Sequence, residues 1–234
     1  MDNRTLGVAI TSWQRYAETL ESFIEIANDK RVSEIIIVDD FSDIEIFNKL
    51  KTAVSFCPKV HLLRNEVNYG CYLNKRQAVS LCTSKFVILF DSDNRLTKEY
   101  LDKIFEQEWK EDTILAPDFA MPNFCYQAFG GLTVDKTNVG EYMYKPLFST
   151  CLNTCNLFVN TNKYLEVFDN SLEPVTCDSI YFAYCWLKAG YKIHITKGLQ
   201  YPHLVHDKSH YKNFVHLTPK GLLMDIENNL KQMR

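Results

Sequence analysis

The chain is short of residues that loosen a backbone: among 234 residues there are eight glycines and seven prolines. Long flexible linkers are not expected from that composition. An excess of positive charge is also missing. Lysine and arginine number 26 against 29 aspartates and glutamates, a formal net charge of −3. A general nucleic-acid binder needs a basic field to capture phosphates, so that class is set aside. No run approaches the ~18 apolar residues of a membrane span. No stretch of signal-peptide type precedes the first apolar segment, so the expectation is a cytoplasmic chain. The eight cysteines mostly lie within apolar runs such as Tyr184-Cys185-Trp186, as buried thiols do in a reducing compartment. Cys151 and Cys155 stand four apart with no second pair and no HExxH pattern. A zinc centre, including one built from His203, His206 and His210, is therefore not the expected chemistry.

What is present is 46 % hydrophobic and 13 % aromatic, enough for a solid core. Apolar runs at Leu6–Ile10, Glu34–Val38, Val60–Leu63, Phe86–Phe90 and Ile114–Ala116 read as strands. Between them, helical spacing appears over Arg15–Ala27, around Ile46–Leu50, over Tyr72–Leu81 and around Leu101–Phe105. Strand and helix alternate four times, which predicts an α/β fold with a mostly parallel central sheet flanked by helices. The rhythm breaks after Pro117. A strand at Leu157–Val159, a helix at Asp178–Ala189 stopped by Gly190, a strand at Tyr191–Ile195 and a last amphipathic helix after Pro219 complete the pattern. One continuous domain over 1–234 is expected: a first half to about 117, a substrate-facing half over about 118–210, and a C-terminal helix over 211–234.

Open parallel sheets bind ligands at the carboxyl ends of their strands. Three such ends here are polar: Thr11-Ser12-Trp13, Asp39-Asp40 and Asp91-Ser92-Asp93. One polar end is ordinary, since loops are polar and acids cap helices. Three on neighbouring strands mark a candidate ligand site. Asp91 and Asp93, one residue apart after a buried strand, can both reach a divalent ion. Oxygen ligands suit Mg²⁺ or Mn²⁺ held together with a substrate's phosphates.

In order along the chain, Thr11-Ser12-Trp13-Gln14-Arg15, Val38-Asp39-Asp40-Phe41-Ser42, Asn68-Tyr69-Gly70 with Asn74-Lys75-Arg76, Leu89-Phe90-Asp91-Ser92-Asp93-Asn94, and Asp178 leading a helix that ends in Gly190-Tyr191-Lys192 resemble inverting family 2-type glycosyltransferases. The resemblance covers roughly residues 5 to 210 and implies the GT-A, Rossmann-like fold of nucleotide-diphospho-sugar transferases. It also implies roles. Thr11, Ser12, Trp13, Arg15, Asp39, Asp40, Asn68, Lys75, Asp91 and Ser92 surround the nucleotide and donor. Asp93, with Asp91 and His206, holds Mn²⁺ or Mg²⁺, His206 being preferred over His203. Asp178 is the base that deprotonates the acceptor hydroxyl. Phe41 and Ala78 stand where the family usually has glycine, and Cys177 where a glutamate is common.

The expected reaction moves a sugar from a nucleoside-diphosphate sugar, UDP favoured, to a hydroxyl of a glycan or other acceptor. Inversion follows from one carboxylate base and one displacement. Two rival readings are a sugar-nucleotide nucleotidyltransferase and a catalytically silent nucleotide-sugar-binding module. The first is disfavoured because Thr11–Arg15 contains no glycine to receive a triphosphate. Tyr and Phe between 119 and 148 are candidates for an acceptor groove. Lys220, Lys231 and Arg234 leave room for peripheral membrane contact by the last helix, although a packed helix is the simpler expectation.

Overall fold

The computed structural model describes residues 4–153, 156–172, 176–204 and 215–233. Strands β1 (Leu6–Ser12), β2 (Val32–Asp39), β3 (Val60–Arg64) and β4 (Phe86–Asp91) pair in parallel in the order β3-β2-β1-β4. Helices α1 (Ala17–Phe23), α2 (Ile44–Val54) and α3 (Gly70–Ser80) connect them, and α4 (Lys98–Phe105) follows β4. The strand order reverses between β1 and β4, so their carboxyl ends flank the crevice where such sheets take ligands.

The second half is mixed rather than parallel. β5 (Thr113–Met121) forms a hairpin with β6 (Phe124–Cys125), and β7 (Thr133–Val134) lies at an edge. Two short helices follow, α5 (Val139–Tyr142) and α6 (Phe148–Leu152). β8 (Leu157–Asn160) inserts antiparallel between β4 and β5, and α7 (Thr161–Val167) and α8 (Asp178–Lys188) come next. β9 (Lys192–Pro202) runs parallel to β5, and α9 (Leu222–Gln232) closes the described chain.

Alternation along the central strands sorts side chains onto two cores. Val8, Ile10, Ile35, Ile37, Ile88 and Phe90 pack toward Phe23, Leu50, Tyr100 and Leu101. Ala9, Ile36, Val38, Val87 and Leu89 pack toward Tyr72, Ala78, Ile180 and Trp186. Both faces are apolar, so hydrophobicity alone would tolerate a one-residue slip of β2. Acids at its two ends fix it. Asp39 lies at the crevice, and Glu34 near the opposite end accepts hydrogen bonds from the backbone N–H and hydroxyl groups of Thr83 and Ser84. Gly7 of β1 makes room, since a Cβ there would sit 3.1 Å from Glu34 Oε1. Burial works against the Glu34 charge, but the hydrogen bonds from Ser84 and Thr83 outweigh it and hold the carboxyl below its usual value.

Glu34→Ala is expected to cost about 2–3 kcal/mol, because it leaves donors unpaired around a vacated charge. A carboxyl lowered in the fold stabilises above the ordinary Glu value of about 4.3 and loses that contribution as pH falls through its folded value. Denaturant titrations of both proteins should therefore show the gap at neutral pH and its narrowing in acid.

Three elements differ from the sequence reading. α1 stops at Phe23 because the next residues tighten into i→i+3 turns, Ile26 bonding Phe23 and Asp29 bonding Ile26. β5 continues through Pro117, with a register shift against β9 between Pro117 and Phe119 that accommodates the missing N–H. β9 runs seven residues beyond Ile195, past Gly198 (φ +77°), whose N–H donates to the buried Asp118 carboxylate. This extension carries His203 to the crevice.

Candidate active site

Each central strand ends at the crevice. Thr11 hydrogen-bonds Asp91, its Oγ1 3.4 Å from Asp91 Oδ1. The Asp91 backbone N–H donates to Asn156 Oδ1 at 2.9 Å, fixing the end of β4. Lys75, from the middle of α3, reaches into the same space. Its Nζ lies 2.7 Å from Asp178 Oδ2 and 3.4 Å from Asp91 Oδ1. The side chains of Lys75 and Asp178 are only 6 % and 9 % exposed. At that burial the charges need each other: attraction in a low dielectric offsets desolvation only when a partner is in hydrogen-bond contact. Asp178 opens α8, where the helix dipole also favours an anion. Asp91, Asp178 and Lys75 thus meet at one point.

Asp93 stands beside this group and pairs with Arg15, Nη1 to Oδ2 3.2 Å. Ser92, between the two acids, is fully buried, and among the described residues its hydroxyl has no partner. The Leu204 N–H donates to the Asp93 carbonyl, and His203 Nδ1 lies 2.8 Å from Asn94 Oδ1. The chain leaving β9 is therefore tied along the Asp93 side of the crevice. His206 and His210 lie outside the described residues.

Other expected nucleotide residues are engaged in holding the loops. Ser12 is buried and its hydroxyl donates to the Arg15 carbonyl. Asp39, fully buried, accepts from the N–H and hydroxyl of Ser42. Burial raises its pKa, against the pull of the Ser42 hydrogen bonds and of Arg64. The Ser42 hydroxyl also accepts from the Gln14 N–H, tying the β1 loop to the β2 loop. Asp40 does not point its carboxylate into open space. It accepts from the N–H groups of Tyr69 and Gly70 and from Asn65, capping the start of α3. Asn68 supports the same turn, donating to the Asp40 carbonyl and accepting from Gly70. Trp13 is half-buried at the β1 end.

A pocket adjoins the Lys75–Asp178 pair, lined also by Tyr72, Leu89, Leu157, Tyr164, Ser179 and Phe182. Its rings come from α3, α7 and α8. In the segment 119–148 Tyr126 and Phe148 are core residues, while Phe124 sits at 5.4 Å against the His203 ring. Tyr72, Tyr164 and Phe182 are core residues too, and they pack the floor beneath Asp178.

For a divalent ion, Asp91 and Asp93 offer hard oxygen donors, and both carboxylates are partly exposed, at 25 % and 18 %. Among the described residues no third acidic, histidine or cysteine side chain joins them. Two carboxylates completed by phosphate oxygens and water form a donor set that suits Mg²⁺ or Mn²⁺.

A sheet of this order, with acids closing β2 and β4 and a third acid opening a helix opposite, has the GT-A arrangement. The family model for glycosyl transferase family 2 matches residues 8–117, the stretch that carries β1 to β4. Among solved structures it is similar to S. aureus TarS, with TM-score 0.65 and 14 % identity over 91 % of this chain and 38 % of that one. It is likewise similar to S. aureus TarS 1–349, with TM-score 0.65 and 15 % identity over 97 % of this chain and 70 % of that one. For S. aureus TarS 1–349 in complex with UDP-GlcNAc the values are TM-score 0.67 and 16 % identity over 89 % and 60 %. The chain thus spans about two-fifths of the longest of these. No curated protein matches it significantly. Among the described residues no helix is long and apolar enough to cross a membrane.

Proposed function

We propose that the protein transfers a sugar from a nucleoside-diphosphate sugar, with UDP the favoured carrier, to a hydroxyl of a glycan or other acceptor, inverting the anomeric centre. The observation that carries this reading is the convergence of Asp178 and Asp91 on Lys75 from positions far apart in the chain. The similar TarS structure holds UDP-GlcNAc, which supports a UDP-linked donor.

Asp178 takes the acceptor proton as the hydroxyl attacks. Lys75 holds that carboxylate in place, and an ammonium with three donors can keep Asp91 as well while facing an anion. The donor sugar lies beside Asp91, and the acceptor hydroxyl comes to Asp178. Asp93 and Asp91 would hold Mn²⁺ or Mg²⁺, with His206 a further candidate ligand. Such an ion, when bound, neutralises the departing diphosphate. No second carboxylate is assigned as nucleophile, so a single displacement is the expected course.

A thermal-shift titration tests the donor and metal together. UDP with Mn²⁺ should raise the melting temperature, since a ligand at a hundred times its Kd stabilises by about 2.7 kcal/mol. A chelator should remove most of that gain. Stabilisation by UDP that is indifferent to the chelator would count against the metal assignment.

A further inference from the structure

Asp91 and the helix that carries Asp178 are each held by an asparagine from one short stretch of chain. β8 enters the sheet antiparallel to β4, with Leu157 opposite Leu89. That direction brings the residue ahead of β8, Asn156, to the carboxyl end of β4. Asn156 is buried, and its side-chain oxygen accepts the Asp91 N–H at 2.9 Å. Its carbonyl accepts the buried Tyr100 hydroxyl at 2.8 Å. Asn153 ends α6, where its N–H donates to the Ser149 and Thr150 carbonyls. The Asn153 side-chain oxygen accepts the N–H of Ile180, in the first turn of α8, at 3.1 Å. A helix start leaves such N–H groups without a partner in the helix, and the N-cap side chain usually supplies one. Cys177, the N-cap of α8, does not. The cap for this helix comes instead from 27 positions away.

We infer that Asn153 and Asn156 are paired positioning residues. Asn153 aims Asp178, Asn156 holds Asp91, and the stretch of backbone they share sets the gap in which the acceptor oxygen meets the donor. Each acts through a backbone N–H rather than on substrate. Both oxygens are neutral acceptors, so they fix the chain beneath each acid without adding negative charge to it. Lys75 cannot set this gap alone, because its flexible stem lets the ammonium follow either acid. The gap matters because a misplacement of about 1 Å can cost about a hundredfold in rate. This inference rests on the reading of Asp178 as the base and Asp91 as the donor-side acid.

The test follows UDP-GlcNAc hydrolysis by the whole chain, with calorimetric titration of UDP and a melt of each preparation. Asn153→Ala should lower kcat by about ten- to a hundredfold, with the KM for UDP-GlcNAc and the Kd for UDP little changed. Asn153→Asp keeps an acceptor for the Ile180 N–H and should recover most of that loss. Asn156→Ala should act on the donor side instead, raising the KM for UDP-GlcNAc more than it lowers kcat. If Asn153→Ala does not fold, Asn153→Gln, which moves the same amide by one methylene, should show the fall in kcat. A folded Asn153→Ala or Asn153→Gln with the kcat of wild type, or a loss that Asn153→Asp does not recover, would overturn the inference. The transferase reading would still stand as long as Asp178→Asn lowers hydrolysis. An Asp178→Asn that hydrolyses UDP-GlcNAc like wild type, or a wild type that neither binds UDP nor hydrolyses UDP-GlcNAc, would remove that reading and this inference with it.

Discussion

Asp178→Asn should lower sugar transfer by about a hundred- to ten-thousandfold, the usual contribution of a general base. The substitution keeps the size and hydrogen-bonding shape of the side chain at the start of α8. It removes the ability to accept a proton, and it leaves Lys75 with Asp91 at 3.4 Å as an ionic partner. Some stability should be lost, but less than for removal of Lys75, because the amide oxygen can still accept from the ammonium and Asp91 remains beside it; the melt shows whether the variant is folded when its rate is read. The measurement is transfer rate at saturating donor, alongside a denaturant melt of the same preparation. A rate within threefold of wild type would remove Asp178 from the base role.

Lys75→Met is expected to act on both fold and chemistry. Lys75 is the shared cation of two acids, one of them nearly as buried as itself. Truncating its charge leaves Asp178 ionised and without its 2.7 Å partner in a low-dielectric pocket. Breaking a buried pair from one side typically costs about 3–5 kcal/mol. That is a large fraction of the stability of a single domain, about 5–15 kcal/mol. Urea unfolding should show a lower midpoint with an unchanged slope. Transfer should fall as well, because the base loses its orientation. The double variant Lys75→Met with Asp178→Asn should recover part of the stability, since the uncompensated charge is gone. Losses that simply add would mean the two side chains do not depend on each other.

Much of this arrangement was legible in the sequence. The apolar runs closing in acids gave β1, β2 and β4 and placed their carboxyl ends together, because parallel strands joined by helices leave few alternatives. The position of Asp178 ahead of a helical pattern was also legible, and the structure brings it to Asp91. Less legible was which polar residue serves the ligand and which serves the loop. Asp39 and Asp40 are adjacent and chemically alike, yet Asp40 caps α3 through N–H groups some thirty residues away. Nothing local in Val38-Asp39-Asp40 encodes that partner. Ser12 likewise turns inward to hold Arg15 rather than outward. The pairing of Lys75 with Asp178 spans 103 positions and depends on how α3 and α8 dock, which side-chain periodicity does not specify. The antiparallel entry of β8 between β4 and β5 was hidden for a similar reason. Leu157-Phe158-Val159 signals a buried strand, but an apolar run carries neither direction nor order.

The account's central claim is that one carboxylate base, Asp178, drives a single displacement at a donor lying against Asp91. The most direct measurement is proton NMR of the sugar released from an α-linked UDP-sugar, recorded in the first minutes before mutarotation. The account predicts the β-anomer as the initial product, at a rate that falls in Asp178→Asn. An initial α-anomer would contradict it, because retention demands a second nucleophilic event that this arrangement does not assign.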